Sequence, residues 1–190
     1  MFLSEKRIKK MMKEEYKKGG LLVGNVDGRL YIGGTQWEME FEKRFVTNGI
    51  LGMVVDMARE LPELNSMYML MRGNYVQQEI LRSMTFPVTY IPVQITPVLQ
   101  EEEGLYRVLQ GDHITVRAKE SLIQLIDRGE LITKLNENEP LGPFYADNKL
   151  YWKNNTGMLR INCTDTECGS DAWIFDELSS IDIRRHQEDE

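Results

Sequence analysis

Two hydrophobic periods alternate along the chain, and their succession outlines the elements. Between Ser4 and Lys18 the apolar residues Ile8, Met11, Met12 and Tyr16 fall three and four apart on one stripe, with lysines between them. That spacing predicts an amphipathic helix over 4–18, with Ser4 at the N-cap, Glu5 in the first turn and Gly19-Gly20 as the stop. From Leu21 the period shortens to that of strands. Leu21-Leu22-Val23, Leu30-Tyr31-Ile32 and the same-face residues Trp37, Met39 and Phe41 are separated by Asp27-Gly28 and Gly33-Gly34, which predicts a three-stranded meander. Ile50, Leu51, Val54, Met57, Ala58 and Leu61 return to helical spacing, opened by Thr47 or Asn48 and closed before Pro62. This second helix is expected to be largely buried, with Gly49 and Gly52 marking close approach to another backbone.

Beyond it the pattern predicts a strand over 67–72 and a helix over 74–84, the latter from the spacing of Val76, Ile80, Leu81 and Met84. Pro87, Pro92 and Pro97 punctuate the extended run that follows. Proline donates nothing to a ladder, so this run is expected to lie at a sheet edge, where a partner can add on, or to be bent. Glu101-Glu102-Glu103-Gly104 reads as a solvated turn leading into a hairpin, Leu105–Leu109 and His113–Arg117, bent at Gly111-Asp112. A short helix at Leu122–Ile126, a strand at 131–135, a linker at 136–143 and strands around Leu150–Trp152 and Met158–Ile161 complete the outline, with a loop at 163–170 and an apolar cluster at Trp173-Ile174-Phe175. The fold class is α+β: antiparallel sheets of short strands in hairpins and meanders, packed with three to four helices. The expected organisation is a main domain over 1–135, a smaller β-rich part over 144–184, either separate or within the same domain, and a disordered tail over 185–190. Asp27–Tyr31 and Asp147–Tyr151 match in residue type at every position, through a duplicated unit or through hairpin turn chemistry that recurs independently.

Charge adds a feature that periodicity does not show. The 190 residues carry 23 Lys plus Arg against 30 Asp plus Glu, a formal −7. Residues 1–18 hold seven bases and three acids, +4, which leaves −11 for the rest. The protein as a whole is therefore not attracted to nucleic acid or anionic lipid, whereas its basic first helix can either bind phosphate backbones, anionic membrane or an acidic partner surface, or pack on the protein's own acidic domain with its lysines as a solvated face. Apolar runs are too short for a membrane span. The opening Met1-Phe2-Leu3-Ser4 lacks a leader's apolar core and the two cysteines form no disulfide framework, so a reducing cytoplasm, bacterial or host, is expected.

Catalytic chemistry leaves few traces. His113-Ile114-Thr115 has the form of the H-x-T strand of two-histidine phosphoesterases, making His113 and Thr115 candidate catalytic residues, but no second H-x-T or H-x-S exists. Cys163 and Cys168 lack two further ligands for zinc. Asp165, Glu167 and Asp171 place oxygens at alternate positions as a calcium loop does, with the glycine one place early and Asp176 at the twelfth position. Glu15-Tyr16-Lys17 has the E-x-K form of metal-dependent nucleases, though within the first helix. Nucleotide loops and nucleophile elbows are absent, so no cofactor is expected.

These features favour recognition over catalysis. The expected function is that of a non-catalytic cytoplasmic interaction protein, an inhibitor or adaptor that meets a protein or nucleoprotein partner through an acidic surface. An inhibitor of host defence carried by a phage or mobile element is one such protein. The candidate contact residues are Lys6, Lys9, Lys10 and Lys13 on the first helix and Glu101, Glu102 and Glu103 at the acidic turn. A small hydrolase or phosphoesterase using His113 and Thr115, and nucleic-acid binding through residues 1–18, are the alternatives.

Overall fold

Two-residue turns set the strand plan. A computed structural model describes residues 1–79, 83–131, 141–165, 177, 178 and 180–184, without the side chain of Asp165, and the described residues include the α-helices α1 to α4, a 3-10 turn at Lys43–Phe45 and the strands β1 to β12. α1 (Glu5–Lys18) is followed by β1 (Leu21–Val26), β2 (Arg29–Gly33) and β3 (Trp37–Glu42), then α2 (Asn48–Ala58), β4 (Ser66–Met71) and β5 (Asn74–Gln78). β6 (Ile91–Glu101), β7 (Leu105–Gly111) and β8 (Ile114–Lys119) come next, followed by α3 (Glu120–Ile123) and α4 (Arg128–Leu131). β9 (Phe144–Ala146), β10 (Lys149–Asn154), β11 (Gly157–Asn162) and β12 (Thr164–Asp165) close the described chain. Every strand pairing with a described register is antiparallel, and the α+β class holds.

The chain divides into two compact units. The first comprises residues 1–86, 125–141 and 153–160, the second 87–124, 142–152 and 161–190. In the first unit the strand order is β11-β3-β2-β1-β4-β5. Phe2, Ile8 and Met12 are buried with Leu21, Leu30, Phe41, Ile50, Val54 and Leu70, because the apolar stripes of α1 and α2 have nowhere else to hide from water. The amino terminus is clipped into place: Ser4 N–H donates to Leu125 O at 2.8 Å and Asp127 N–H to Phe2 O at 2.8 Å. α1 ends as expected, with Gly19 left-handed at φ 79. Ser4 stands at its N-cap but makes no side-chain cap, whereas Thr47 caps α2 through Ile50 N–H.

α2 is buried on one stripe only, Ile50, Val54 and Ala58. Gly49 faces the Glu5 and Lys9 side chains of α1, and Gly52 faces open space, so neither glycine meets another backbone. The helix expected over 74–84 is not formed at its start. Arg72-Gly73, with Gly73 at φ 74, turns the chain straight back, and Asn74–Gln78 pairs with β4 as a strand.

In the second unit the order is β12-β8-β7-β6-β9-β10. Strand β6 is no edge: it pairs with β7 on one side and β9 on the other. Its prolines are absorbed where the ladder allows. Pro92 lies on the two-residue pairing with β9, and Pro97 falls in the register shift between Ile95 and Leu99. The β7–β8 bend is Asp112-His113, one residue later than expected, with His113 left-handed at φ 58. Leu131 ends α4 instead of opening a strand, and the rest of that stretch, the linker at 132–140, the loop at 166–170, the 173–175 cluster and the tail from 185 lie outside the described residues. Asp27-Gly28 and Asp147-Asn148 both form two-residue turns with positive φ at both positions, so the matching pentapeptides share one turn conformation. No described helix is long and apolar enough to cross a membrane.

Candidate functional site

The formal −7 separates sharply between the units: residues of the first sum to +2 and those of the second to −9. Each contributes one exposed charged feature. In the first it is α1. Ile8 and Met12 turn the apolar stripe inward, so Lys6, Lys10, Lys13 and Lys17, spaced four, three and four apart, share the exposed face. Lys10 lies 3.9 Å from Glu14, and Lys6, Lys13 and Lys17 make no ion pair among the described residues. Lys9 differs. It turns toward α2 and sits 2.6 Å from Glu5, and this hydrogen bond, with one from Thr47, holds the Glu5 carboxyl below the usual range.

In the second unit the feature is the tip of the β6–β7 hairpin. Glu101, Glu102 and Glu103 are all exposed at the turn. Leu99 and Leu105 stand beside them at 45% and 46% exposure, on the face that Glu101 shares by its pairing with Leu105. Arg117 of β8 pairs with Glu102 at 2.8 Å and stacks 5.2 Å from the centre of the Tyr106 ring. Glu101 and Glu103 make no ion pair among the described residues. The tip is rigid at its base. Arg107 grips Glu120 with two bonds of 2.8 and 2.9 Å and also donates to the carbonyls of Thr96 and Pro97 at 3.2 and 3.1 Å. The bond to Glu120 pushes the Arg107 guanidinium further toward its charged form.

The candidate catalytic pair does not converge. His113 is exposed at the bend, whereas Thr115 is buried with its hydroxyl unbonded. For the calcium loop, Asp165 lies on β12 opposite Val116, and its side chain, Glu167 and Asp171 fall outside the described residues. Among the described residues no three acidic, histidine or cysteine side chains gather as a metal site. Cys163 is buried.

Buried carboxylates, which sequence reasoning missed, hold the scaffold. Glu40 accepts from Arg29 at 3.3 Å, from the Ser83 hydroxyl at 2.8 Å and from Met84 N–H at 2.7 Å. Glu15 accepts from the Thr35 N–H and hydroxyl at 3.3 and 3.0 Å, so the E-x-K acid serves a loop. Burial and the neighbouring Glu38, itself paired with Arg160, push the Tyr31 hydroxyl well above the usual tyrosine range. A hollow in the first unit, about 470 Å³, is lined by Asp27, Gly28, Arg29, Glu42, Lys43 and Arg44, and its charges are largely spent on Arg29–Glu40 and Arg44–Glu42 pairs.

No protein-family model matches this sequence, and no curated protein matches it. One solved structure, a DNA polymerase III beta-subunit sliding clamp from Bartonella birtlesii, aligns over 89% of this chain and 66% of its own at 12% identity and a TM-score of 0.24, a likeness too weak to carry an argument.

Proposed function

We propose that the protein is a non-catalytic cytoplasmic interaction protein, an inhibitor or adaptor whose β6–β7 tip docks on a basic protein or nucleoprotein surface. The observation that carries this reading is the pairing of three exposed glutamates with two half-exposed leucines on a hairpin braced by Arg107 and Glu120. Leucines supply apolar area to exclude water, and the glutamates choose a basic rim and speed encounter. Bracing matters because a preorganised tip loses less entropy on docking.

The test compares the wild-type chain with a Leu99→Ser/Leu105→Ser variant and a triple variant, Glu101→Lys, Glu102→Lys and Glu103→Lys, in capture of a partner from host extract and then in titration against it. Both variants lose binding by about tenfold or more, the charge-reversed one mainly in association rate and less at high salt. Salt-independent binding that survives charge reversal sinks this reading.

A second reading rests on the lysine stripe of α1. Four lysines on one exposed face of a helix suit a phosphate backbone, and the apolar residues that would enter a membrane are buried. Alanine at Lys6, Lys10, Lys13 and Lys17 then abolishes a gel shift with duplex DNA, and an unchanged shift removes the stripe from consideration.

A further inference from the structure

We propose that the β7–β8 end of the second unit is a docking slot for an extended, arginine-bearing segment of another protein, and that residues 177–184 of this chain fill it as a displaceable strap. Gln110 is the floor of the slot. It is only 5% exposed, and its side-chain amide bonds the main chain of the strap three times. Nε2 donates to Leu178 O at 3.1 Å and to Ile181 O at 2.8 Å, and Oε1 accepts from Ile183 N–H at 2.9 Å. An amide that both donates and accepts reads a peptide backbone whatever side chains it carries. Charge sets the one side-chain preference. Arg184 donates 2.8 Å to Asp112, on the turn between β7 and β8, while its other nitrogens hold Asp182 within the strap at 2.8 and 2.7 Å.

The strap grips lightly. None of its described side chains is buried, and Ile181 is 57% exposed, so it hides little apolar surface. Water offers the same hydrogen bonds to an open strap, and closing it takes freedom from every residue it orders. Asp112 is exposed, which leaves its pair with Arg184 weak and screened. The slot also holds a bond that the strap does not make. Gly111 and Ile114 close the two-residue turn, so Gln110 and Thr115 form the next, non-hydrogen-bonded pair, with side chains close together on one face. Thr115 is buried, and its hydroxyl has no partner among the described residues. A segment of another protein that repeats the backbone contacts, sets an arginine at Asp112 and adds a bond to Thr115 therefore outcompetes the strap. The slot lies at the opposite end of β7 from the β6–β7 tip, so it stands or falls apart from the proposed function.

The test is fluorescence anisotropy of a labelled peptide, residues 177–184 of this chain, titrated with the full chain, with hydrogen exchange and light scattering alongside. The peptide binds wild type weakly. It binds Arg184→Glu, whose own strap is repelled by Asp112, about fivefold more tightly. Added to Arg184→Glu, Gln110→Ala removes the backbone bonds and Asp112→Arg repels the peptide's arginine, and each lowers the affinity by about tenfold. Saturating peptide frees the chain's own Ile183 N–H to exchange, while amides of β7 and β8 keep their protection. Peptide that binds all four chains alike, or binds without freeing Ile183, sits elsewhere and overturns the slot. No binding to Arg184→Glu makes the strap a fixed part of the unit and overturns displacement. Wild type that doubles its 22.2 kDa mass, and reverts as peptide is added, gives the slot to the strap of a second copy and overturns a separate partner.

Discussion

The hairpins β4–β5 and β6–β7 solve opposite problems. In β4–β5 the ladder is regular and the turn is tied down by little more than Gly73 N–H donating to the Tyr16 hydroxyl at 3.3 Å, so the outer strand shows a whole edge to solvent. In β6–β7 the ladder is broken at Pro97 and the repair is made by side chains. The Thr96 hydroxyl bridges to Val108 O at 2.8 Å and takes Val98 N–H at 3.2 Å, while Arg107 covers the carbonyls of Thr96 and Pro97 that the register shift strands. A regular strand needs no such bracing and remains open to pairing. An irregular one that is braced by buried charge makes a stiff post for a charged tip.

Glu120→Ala tests the bracing and carries the largest expected effect. Arg107 and Glu120 are mostly buried, at 18% and 11% side-chain exposure, so removing the carboxylate leaves a guanidinium with only its two carbonyl acceptors. Loss of one partner of such a pair costs about 3 kcal/mol. The midpoint of chemical unfolding falls accordingly, while a Glu120→Met/Arg107→Met double variant, which buries no lone charge, recovers most of it. A Glu120→Ala protein as stable as wild type would make the pair ornamental and erase the contrast between the hairpins.

Much of this plan was written in the sequence where period and turn agree. The β1–β3 meander, α1, α2 and the β7–β8 hairpin follow from apolar spacing bounded by residues that accept positive φ, such as Asp27, Gly28 and Gly19. β5 escaped because Val76, Ile80, Leu81 and Met84 mimic a helical stripe, whereas the two-residue turn at Arg72-Gly73 decides the local outcome. Of the two outcomes open to the proline run of β6, an edge or a bend, the structure takes the irregular one: the ladder shifts between Ile95 and Leu99 around Pro97, a choice that proline's missing donor does not decide. The lysines of α1 and the glutamates of the tip were legible as charge. What was hidden is the pairing that spends it: Arg117 on Glu102, Lys9 on Glu5, and Arg29 on the buried Glu40, partners set by strand register and packing.

Gly73→Ala probes the open hairpin with a smaller effect. Gly73 sits at φ 74 and a Cβ there meets nothing within 4 Å, so the cost is backbone strain alone, about 1 kcal/mol. Hydrogen exchange of the β4–β5 ladder accelerates by about fivefold, by the relation of 1.4 kcal/mol to tenfold, while amides of β7 and β8 are unmoved. Equal acceleration in both hairpins would show that they open as one cooperative unit.

Glu102→Gln separates charge from stability at the tip and carries the smallest effect. Its Oε2 lies 2.8 Å from Arg117, but its side chain is 43% exposed, and Arg117 keeps its stacking on Tyr106 and its 3.3 Å bond to the Thr164 hydroxyl. Exposed pairs of this kind contribute no more than about 1 kcal/mol and are screened by salt. Unfolding at moderate salt therefore shifts by less than about 0.5 kcal/mol, and raising salt abolishes even that. The Glu120→Ala deficit, arising from a mostly buried charge, persists in the same salt. Two glutamates that serve one hairpin, Glu120 of α3 spent on holding its base and Glu102 exposed at its tip, are thus told apart by ionic strength alone. If the Glu102 effect proved as large and as salt-resistant as that of Glu120, the tip would be part of the brace and unsuited to greet a partner.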